Sequence, residues 1–272
     1  MNNKKRKVNL IMKKIIILLS FILLFTFTAK SQELVMDERY LLNNFVGVIA
    51  GIGLTSYTGS VSFYADRVDC EPYSFSSKSG IETNFVFGLK AEFNISRRFD
   101  FYASFLYEGR SAKFAPQDYT ERVYVSDTKP FELASFRQSL AANISAFSMT
   151  PMIKWKPLIK YKHFKDLGIL LGPSFAFMTS DELDAKESII EPTELFFEGD
   201  GRRDRTIYLG EIESKNSLFI DLKFGLNYGF MITEQIKLVP EIFYVLPLTK
   251  VSSEGDWKIS SIQILVNCSY GF

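Results

Sequence analysis

The chain has 272 residues and a formal net charge of +1. The first 31 residues hold seven basic residues and no acidic one, so the remainder has 25 basic against 31 acidic residues, a net charge of −6. This balance argues against a nucleic-acid-binding protein, because such proteins carry clustered positive charge. A mean hydropathy of +0.04 is too low for a helical membrane protein. The two cysteines give neither a metal-ligand spacing nor a disulfide framework.

The amino terminus predicts a signal peptide over residues 1–31. A basic segment is followed by an apolar run over residues 15–27, and Ala29-Lys30-Ser31 then supplies a small-residue cleavage site. The apolar run is shorter than the roughly 20 residues that span a bilayer as a helix, which argues against a retained anchor. We therefore expect an exported chain, 32–272, that forms one barrel domain. Translation could start at the first residue or at Met12.

After the signal peptide, the recurring pattern is the alternation of apolar side chains with polar or small ones, which is typical of a β-strand with two different faces. Lys90 and Glu92, for example, alternate with Leu89 and Phe93. Eight segments carry the pattern: 44–58, 84–96, 99–108, 144–155, 167–178, 220–232, 236–248 and 258–272.

The last segment ends with two aromatic residues, Tyr270 and Phe272, on its apolar face. Terminal residues of soluble domains are usually frayed and polar, whereas the last strand of a membrane barrel must close on the first. We predict that Tyr270 and Phe272 form a C-terminal assembly signal for the outer-membrane assembly machinery.

The connections between these segments alternate in length. Three are short: 96–98, 157–166 and 233–235. Three are long: 59–83, 109–142 and 179–216. Short turns at one end and long loops at the other are the layout of an outer-membrane barrel, with short periplasmic turns and long extracellular loops. The sequence therefore predicts an all-β protein, an eight-stranded antiparallel transmembrane β-barrel located in the outer membrane. A secreted soluble sandwich is the rival interpretation, but its outward face should be polar.

Six stretches of the predicted strands occur in a characteristic order: Gly88-Leu89-Lys90-Ala91-Glu92-Phe93, Arg98-Phe99, Phe105-Leu106-Tyr107-Glu108-Gly109-Arg110, Thr150-Pro151-Met152-Ile153-Lys154-Trp155, Gly172-Pro173-Ser174-Phe175 and Asp221-Leu222-Lys223-Phe224-Gly225-Leu226. In this order they resemble strands of PorT-like outer-membrane β-barrel proteins of Bacteroidetes. The resemblance implies a small barrel without catalytic residues to transfer. Most members of the family have no defined activity, and one branch serves protein secretion and gliding.

Charged residues recur on the polar face of the predicted strands. An eight-stranded barrel is just wide enough for side chains to fill it, and buried charge is costly unless it is paired. We therefore expect an ion-paired plug in the lumen, with a gated proton or ion path as the alternative. Its predicted members are Lys90, Glu92, Asp100, Glu108, Asp221, Lys223, Lys237 and Glu241.

The sequence offers little for catalysis. Its one histidine, His163, lies in a short link predicted on the periplasmic side, and no nucleophile elbow, Walker loop or HExxH motif occurs. We expect no enzyme activity, no cofactor and no metal centre. The acidic stretch 179–216 could bind divalent cations but is more simply a solvated loop. Lys160, Lys162 and Lys165 could contact anionic headgroups, although snorkelling at the interface explains them equally well.

Two functions remain open from the sequence. The first is a non-enzymatic membrane anchor that meets a protein partner through its external loops. The second is a component of transport or secretion, either a narrow channel or a subunit of an export system. In both cases the expected partner of the barrel wall is outer-membrane lipid.

Overall fold

The structure is a computed structural model that describes residues 44–63, 73–76, 81–123, 132–159, 161, 164–197, 201–212, 214–253 and 256–272. The predicted signal peptide lies outside the described residues, as do His163 and Cys70. Within the described part of the chain, no helix is long and apolar enough to span a membrane, a result that does not bear on spanning by strands.

The described residues form fourteen β-strands. They are β1 Phe45–Thr58, β2 Ser60–Phe63, β3 Tyr73–Ser76, β4 Glu82–Asn94, β5 Phe99–Gly109, β6 Ala112–Lys113, β7 Gln117–Val123, β8 Glu132–Trp155, β9 Leu167–Glu191, β10 Asp204–Gly210, β11 Leu218–Tyr228, β12 Phe230–Met231, β13 Ile236–Pro247 and β14 Lys258–Gly271.

Eight of these strands form a closed antiparallel ring. In the order β1-β4-β5-β8-β9-β11-β13-β14, each strand pairs with the next, and β14 pairs with β1. The closing ladder joins Phe45 with Gly271 at one end and Thr58 with Lys258 at the other, so it runs the full length of both strands. The predicted eight-stranded antiparallel barrel is therefore confirmed as a fold. Six ring strands lie within a few residues of their predicted positions, whereas β8 and β9 are each longer than predicted at one end.

The prediction of long loops over 109–142 and 179–216 is wrong for much of both stretches. Strand β8 begins at Glu132 and strand β9 continues to Glu191, so both extend well beyond the ring. Together with β7 and β10 they form a four-stranded antiparallel sheet in the order β7-β8-β9-β10, which we call the outer sheet. The prediction failed because charged and polar residues pair across these strands, as Asp118 of β7 does with Arg137 of β8, and hide the alternation of the buried positions.

Side chains of the ring alternate between its interior and its outer surface, and the outward ones are mostly apolar, whereas the inward ones include most of the polar and charged residues. In β14, for example, the exposed residues are Ile262, Ile264 and Val266, while Gln263 and Asn267 are buried. Glycine permits a close approach of neighbouring strands at Gly51, where a Cβ atom would lie 2.1 Å from the carbonyl oxygen of Ile264. Such glycines let a strongly curved sheet close on itself.

Candidate functional site

The candidate site is the lumen of the barrel, where charged side chains form two networks. We call the end of the barrel that holds Asn44 and Phe272 the terminal end, and the opposite one the far end. Near the terminal end, the carboxylate of Glu92 is the hub of the first network. It lies 2.7 Å from the Nζ atom of Lys154, 3.3 Å from that of Lys90 and 3.4 Å from that of Lys237.

Two further acids complete this terminal network. Asp100 pairs with Lys156 at 2.8 Å, and Glu241 pairs with Lys90 at 2.9 Å. Glu241 also accepts hydrogen bonds from the Tyr102 hydroxyl at 2.8 Å and from the Asn267 amide at 3.4 Å. The terminal network thus sets four lysines against three carboxylates, and every member is buried.

The second network lies further along the lumen, toward the far end. Arg110 contacts Glu108 at 3.2 Å and Asp221 at 2.8 Å, and the Ser148 hydroxyl donates a hydrogen bond to Glu108. The Nζ atom of Lys223 lies 3.8 Å from Glu108. The same Nζ atom makes a cation–π contact with Phe243, at 4.9 Å from the centre of its ring. The Phe243 ring lies nearer the middle of the lumen.

Apolar side chains fill the lumen beside and beyond these networks. One buried cluster is made of Ile49, Val86, Tyr102, Leu106, Met152, Leu170, Phe243 and Leu265. A larger buried cluster includes residues from the far end of the ring, where the Phe114 ring lies 4.1 Å from that of Tyr57, 5.6 Å from that of Trp257 and 6.4 Å from that of Phe75. The lumen is therefore packed with side chains at each of these levels.

The structure buries all eight residues that the sequence assigned to the lumen and divides them between the two networks. Lys90, Glu92, Asp100, Lys237 and Glu241 belong to the terminal network. Glu108, Asp221 and Lys223 belong to the second one. Their role as a structural plug stays a prediction.

Sequence analysis missed three buried cations of these networks. Lys154 alternates with the exposed residues Ile153 and Trp155, and that alternation is a signal that identifies a lumen position. Lys156 and Arg110 each lie one residue beyond the end of a ring ladder, where periodicity no longer distinguishes an inward side chain from a loop residue. Without these three cations, the acids of the predicted plug would outnumber its bases.

The outer wall of the ring is apolar and exposed. Adjacent strands carry Leu89, Phe105 and Met149 in one row, with exposed fractions of 60%, 52% and 55%. Exposed apolar surface of this extent marks contact with a membrane or another protein. Other large apolar residues exposed on the ring include Val48, Phe85, Phe87, Phe93, Phe147, Ile153, Leu171, Phe177, Phe224, Leu226, Ile242, Ile264, Val266, Tyr270 and Phe272.

The outer sheet has a small polar centre of its own. Glu187 is fully buried there, and its carboxylate accepts hydrogen bonds from Tyr119 at 2.5 Å, Arg205 at 2.8 Å and Gln138 at 3.1 Å. Burial by itself would raise the pKa of Glu187, but these three donors favour the charged carboxylate and hold the pKa below its ordinary value. The Phe197 ring covers the Arg205 guanidinium at 4.3 Å.

These features define a side-chain-filled β-barrel with an exposed apolar outer wall and with its charged side chains buried inside, an arrangement unlike that of a soluble protein. Within the described residues, no three His, Cys, Asp or Glu side chains are placed to hold a metal ion. Cys268 is a free cysteine exposed on the outer wall.

Several solved structures are similar to this chain. It is similar to Ail, the attachment invasion locus protein of Yersinia pestis, at 13% identity and a TM-score of 0.30, over 84% of this chain and 99% of that one. For Neisserial surface protein A the identity is 11% and the TM-score 0.32, over 84% and 97% of the two chains. For the outer membrane protease OmpT from Escherichia coli the values are 9% and 0.29, over 85% and 97%. Such low identities and TM-scores carry no conclusion about function.

No protein-family model matches the sequence, and no curated protein matches it either. The resemblance to PorT-like barrels of Bacteroidetes therefore stays a prediction.

Proposed function

We propose that this protein is a small outer-membrane β-barrel that acts as a non-enzymatic anchor and presents its outer sheet to a protein partner. The observation that carries the proposal is the reversed polarity of the ring. Exposed Phe, Leu, Ile and Val cover its outer wall, while eleven charged side chains of the two networks lie inside. Transfer of a large apolar side chain from water to hydrocarbon is favourable by about 1.5–3 kcal/mol, so a bilayer stabilises a wall that water would not.

Closure of the ring supports the same conclusion. Hydrocarbon offers no partner to backbone N–H and C=O groups, so a sheet inside a bilayer must have no free edge. The ladder between β1 and β14 satisfies that requirement along the whole of both strands. Ring strands of 11 or more residues are long enough for the roughly 9–11 residues that a tilted transmembrane strand needs.

The filled lumen favours an anchor over an open channel. Two ionic networks and two apolar clusters occupy it, which accords with the narrow interior of an eight-stranded barrel. We expect the reconstituted protein to give no stable open-channel current in planar bilayers. Large, long-lived currents would refute the proposed plug and would favour the transport function instead.

Membrane fractionation with a heat-shift gel tests the proposed location. A folded barrel should remain in the outer-membrane fraction and should migrate differently in a denaturing gel before and after boiling. Recovery as a soluble monomer without detergent would refute the proposal.

The outer sheet is the proposed interaction surface. Among the described residues, its border strands β7 and β10 each pair on one side only, and a strand edge can accept an extended segment of another protein. Pull-down from solubilised outer membranes, with β7 replaced by a Gly-Ser linker as the control, tests this role. Loss of a partner with the linker variant supports the anchor. Retention of export-system subunits by both proteins would favour the secretion function instead.

A further inference from the structure

Two exposed arginines stand at the terminal end, in the turn between β4 and β5. Arg97 and Arg98 are both exposed there. The turn is rigid, because the amides of Ile95 and Ser96 donate hydrogen bonds to the carbonyl oxygen of Phe99 at 3.1 and 2.9 Å. The Ser96 hydroxyl also accepts a hydrogen bond from the Phe99 amide at 3.1 Å. These bonds fix the backbone of the short turn that carries both arginines at its apex.

The link between β8 and β9 lies against this turn and adds aromatic rings. The amide of Lys156 donates a hydrogen bond to the carbonyl oxygen of Arg98 at 2.8 Å. Further along the link, Tyr161 and Phe164 are 63% and 54% exposed. Aromatic rings and basic side chains together are typical of the boundary between hydrocarbon and headgroups in a membrane.

An apolar groove lies on the outer wall of the same strands. Its volume is about 570 Å³, within the range of sites that hold small organic ligands. Ala91 and Ala103, which pair with each other, line it. The other lining side chains include Leu89, Phe105, Met149 and, on β1, Val46 and Val48. Ala91 is four residues from Ile95, or about 13 Å along the strand, so an acyl chain whose headgroup lies at the arginines can reach the groove.

The other turn at this end has the opposite charge. The turn between β12 and β13 exposes Glu234, flanked by Thr233 and Gln235. Of these two turns, the one with positive charge therefore lies over β4 and β5, two of the strands that line the groove.

We propose that this surface binds an anionic phospholipid of the inner leaflet, with its phosphate headgroup at Arg97 and Arg98 and an acyl chain in the groove over Ala91 and Ala103. This inference rests on the proposed membrane-spanning function. Charge complementarity selects the headgroup, and the apolar lining selects a lipid over free phosphate.

Tryptophan fluorescence of the chain can report on this site. Its two tryptophans are Trp155, which pairs with Phe99 beside the turn and is 44% exposed, and Trp257, which is fully buried in the large apolar cluster. Bromine on an acyl chain quenches tryptophan fluorescence only at close range. The protein recovered from membranes is reconstituted in phosphatidylcholine bilayers that contain a minor fraction of dibrominated phosphatidylglycerol or, in a matched sample, dibrominated phosphatidylcholine. A Trp155→Phe variant gives the background from Trp257.

We expect dibrominated phosphatidylglycerol to quench Trp155 more strongly than dibrominated phosphatidylcholine. The preference should fall about fivefold for each arginine removed, since one basic residue near an anionic surface contributes about that much, and Arg97→Gln/Arg98→Gln should abolish it. The control, Arg122→Gln/Arg202→Gln, removes the same charge from exposed positions of the outer sheet and its neighbouring loop and should leave the preference unchanged.

Three results would overturn the inference. One is equal quenching by the two brominated lipids in a protein that is inserted and shows a heat shift. Another is an equal loss in the control variant. The third is complete competition by millimolar inorganic phosphate, which would reduce the site to a phosphate site. Failure of the protein to insert at all would instead refute the proposed function, so the two failures are distinguishable.

Discussion

The hub of the terminal network gives the sharpest test of how the lumen stabilises the barrel. Replacing Glu92 by Gln keeps the size of the side chain and removes its charge. Three lysines, Lys90, Lys154 and Lys237, then lose the carboxylate that they share at 2.7–3.4 Å. The remaining acids of the network, Asp100 and Glu241, would face four buried lysines.

The expected cost follows from these distances. At an effective dielectric constant of about 20, each lysine–carboxylate contact of about 3 Å is worth roughly 5–6 kcal/mol of attraction. Removing the charge of Glu92 also spares its desolvation, which costs several kcal/mol. Removal of one partner from a buried ion pair accordingly destabilises a protein by about 3–5 kcal/mol. We expect Glu92→Gln to lower the free energy of unfolding by about that amount.

Denaturant unfolding in lipid vesicles, followed by tryptophan fluorescence and by the heat-shift gel, measures the change. The double variant Glu92→Gln/Lys154→Met removes one charge of each sign and should recover much of the lost stability. An exposed pair supplies the control. Lys186 contacts Asp184 at 2.6 Å but is half exposed, so Lys186→Met should cost less than about 1 kcal/mol.

Equal unfolding midpoints for wild type and Glu92→Gln would refute this account of the lumen. A double variant that is less stable than Glu92→Gln alone would also contradict it, because the charge imbalance would then not be the source of the cost.

Replacing Gly51 by Val should block assembly, since a Cβ atom there meets the backbone of β14 at 2.1 Å; a normal heat-shifted band would contradict this. Because the pKa of Glu187 is lowered in the folded protein, its stabilisation of the outer sheet is present above the unfolded pKa of about 4.3 and is lost as the pH falls through the folded value. Hydrogen-exchange protection of the part of β9 that lies beyond the ring should therefore decrease in the wild type when the pH is lowered below about 4. In Glu187→Gln the protection should be low at every pH. Equal protection in the two proteins would exclude this role. In a Cys70→Ser variant, exposed Cys268 should react with a lipid-soluble maleimide in intact membranes but not with a charged one, and modification by the charged reagent would place it in water.

The sequence alone determined the ring, because strands with an apolar outer face and a more polar inner face show a regular alternation of side chains. A strand places successive side chains on opposite faces, so Ile262, Ile264 and Val266 are separated from Gln263 and Asn267 without any knowledge of pairing. Most of the lumen charges follow from the same rule. Periodicity could not assign Arg110, because it lies just beyond the strand that precedes it.

Only the tertiary structure decided which charges meet, how the lumen is filled and where the outer sheet forms. The contact of Arg110 with Asp221 joins residues 111 positions apart, and the closing ladder joins Phe45 with Gly271. Neither contact can be inferred from a local sequence pattern, because both depend on the register of strands that are distant in sequence. The outer sheet was missed for a related reason. Its polar side chains resemble those of a solvated loop until a neighbouring strand pairs with them, and pairing is a property of two segments rather than of either one.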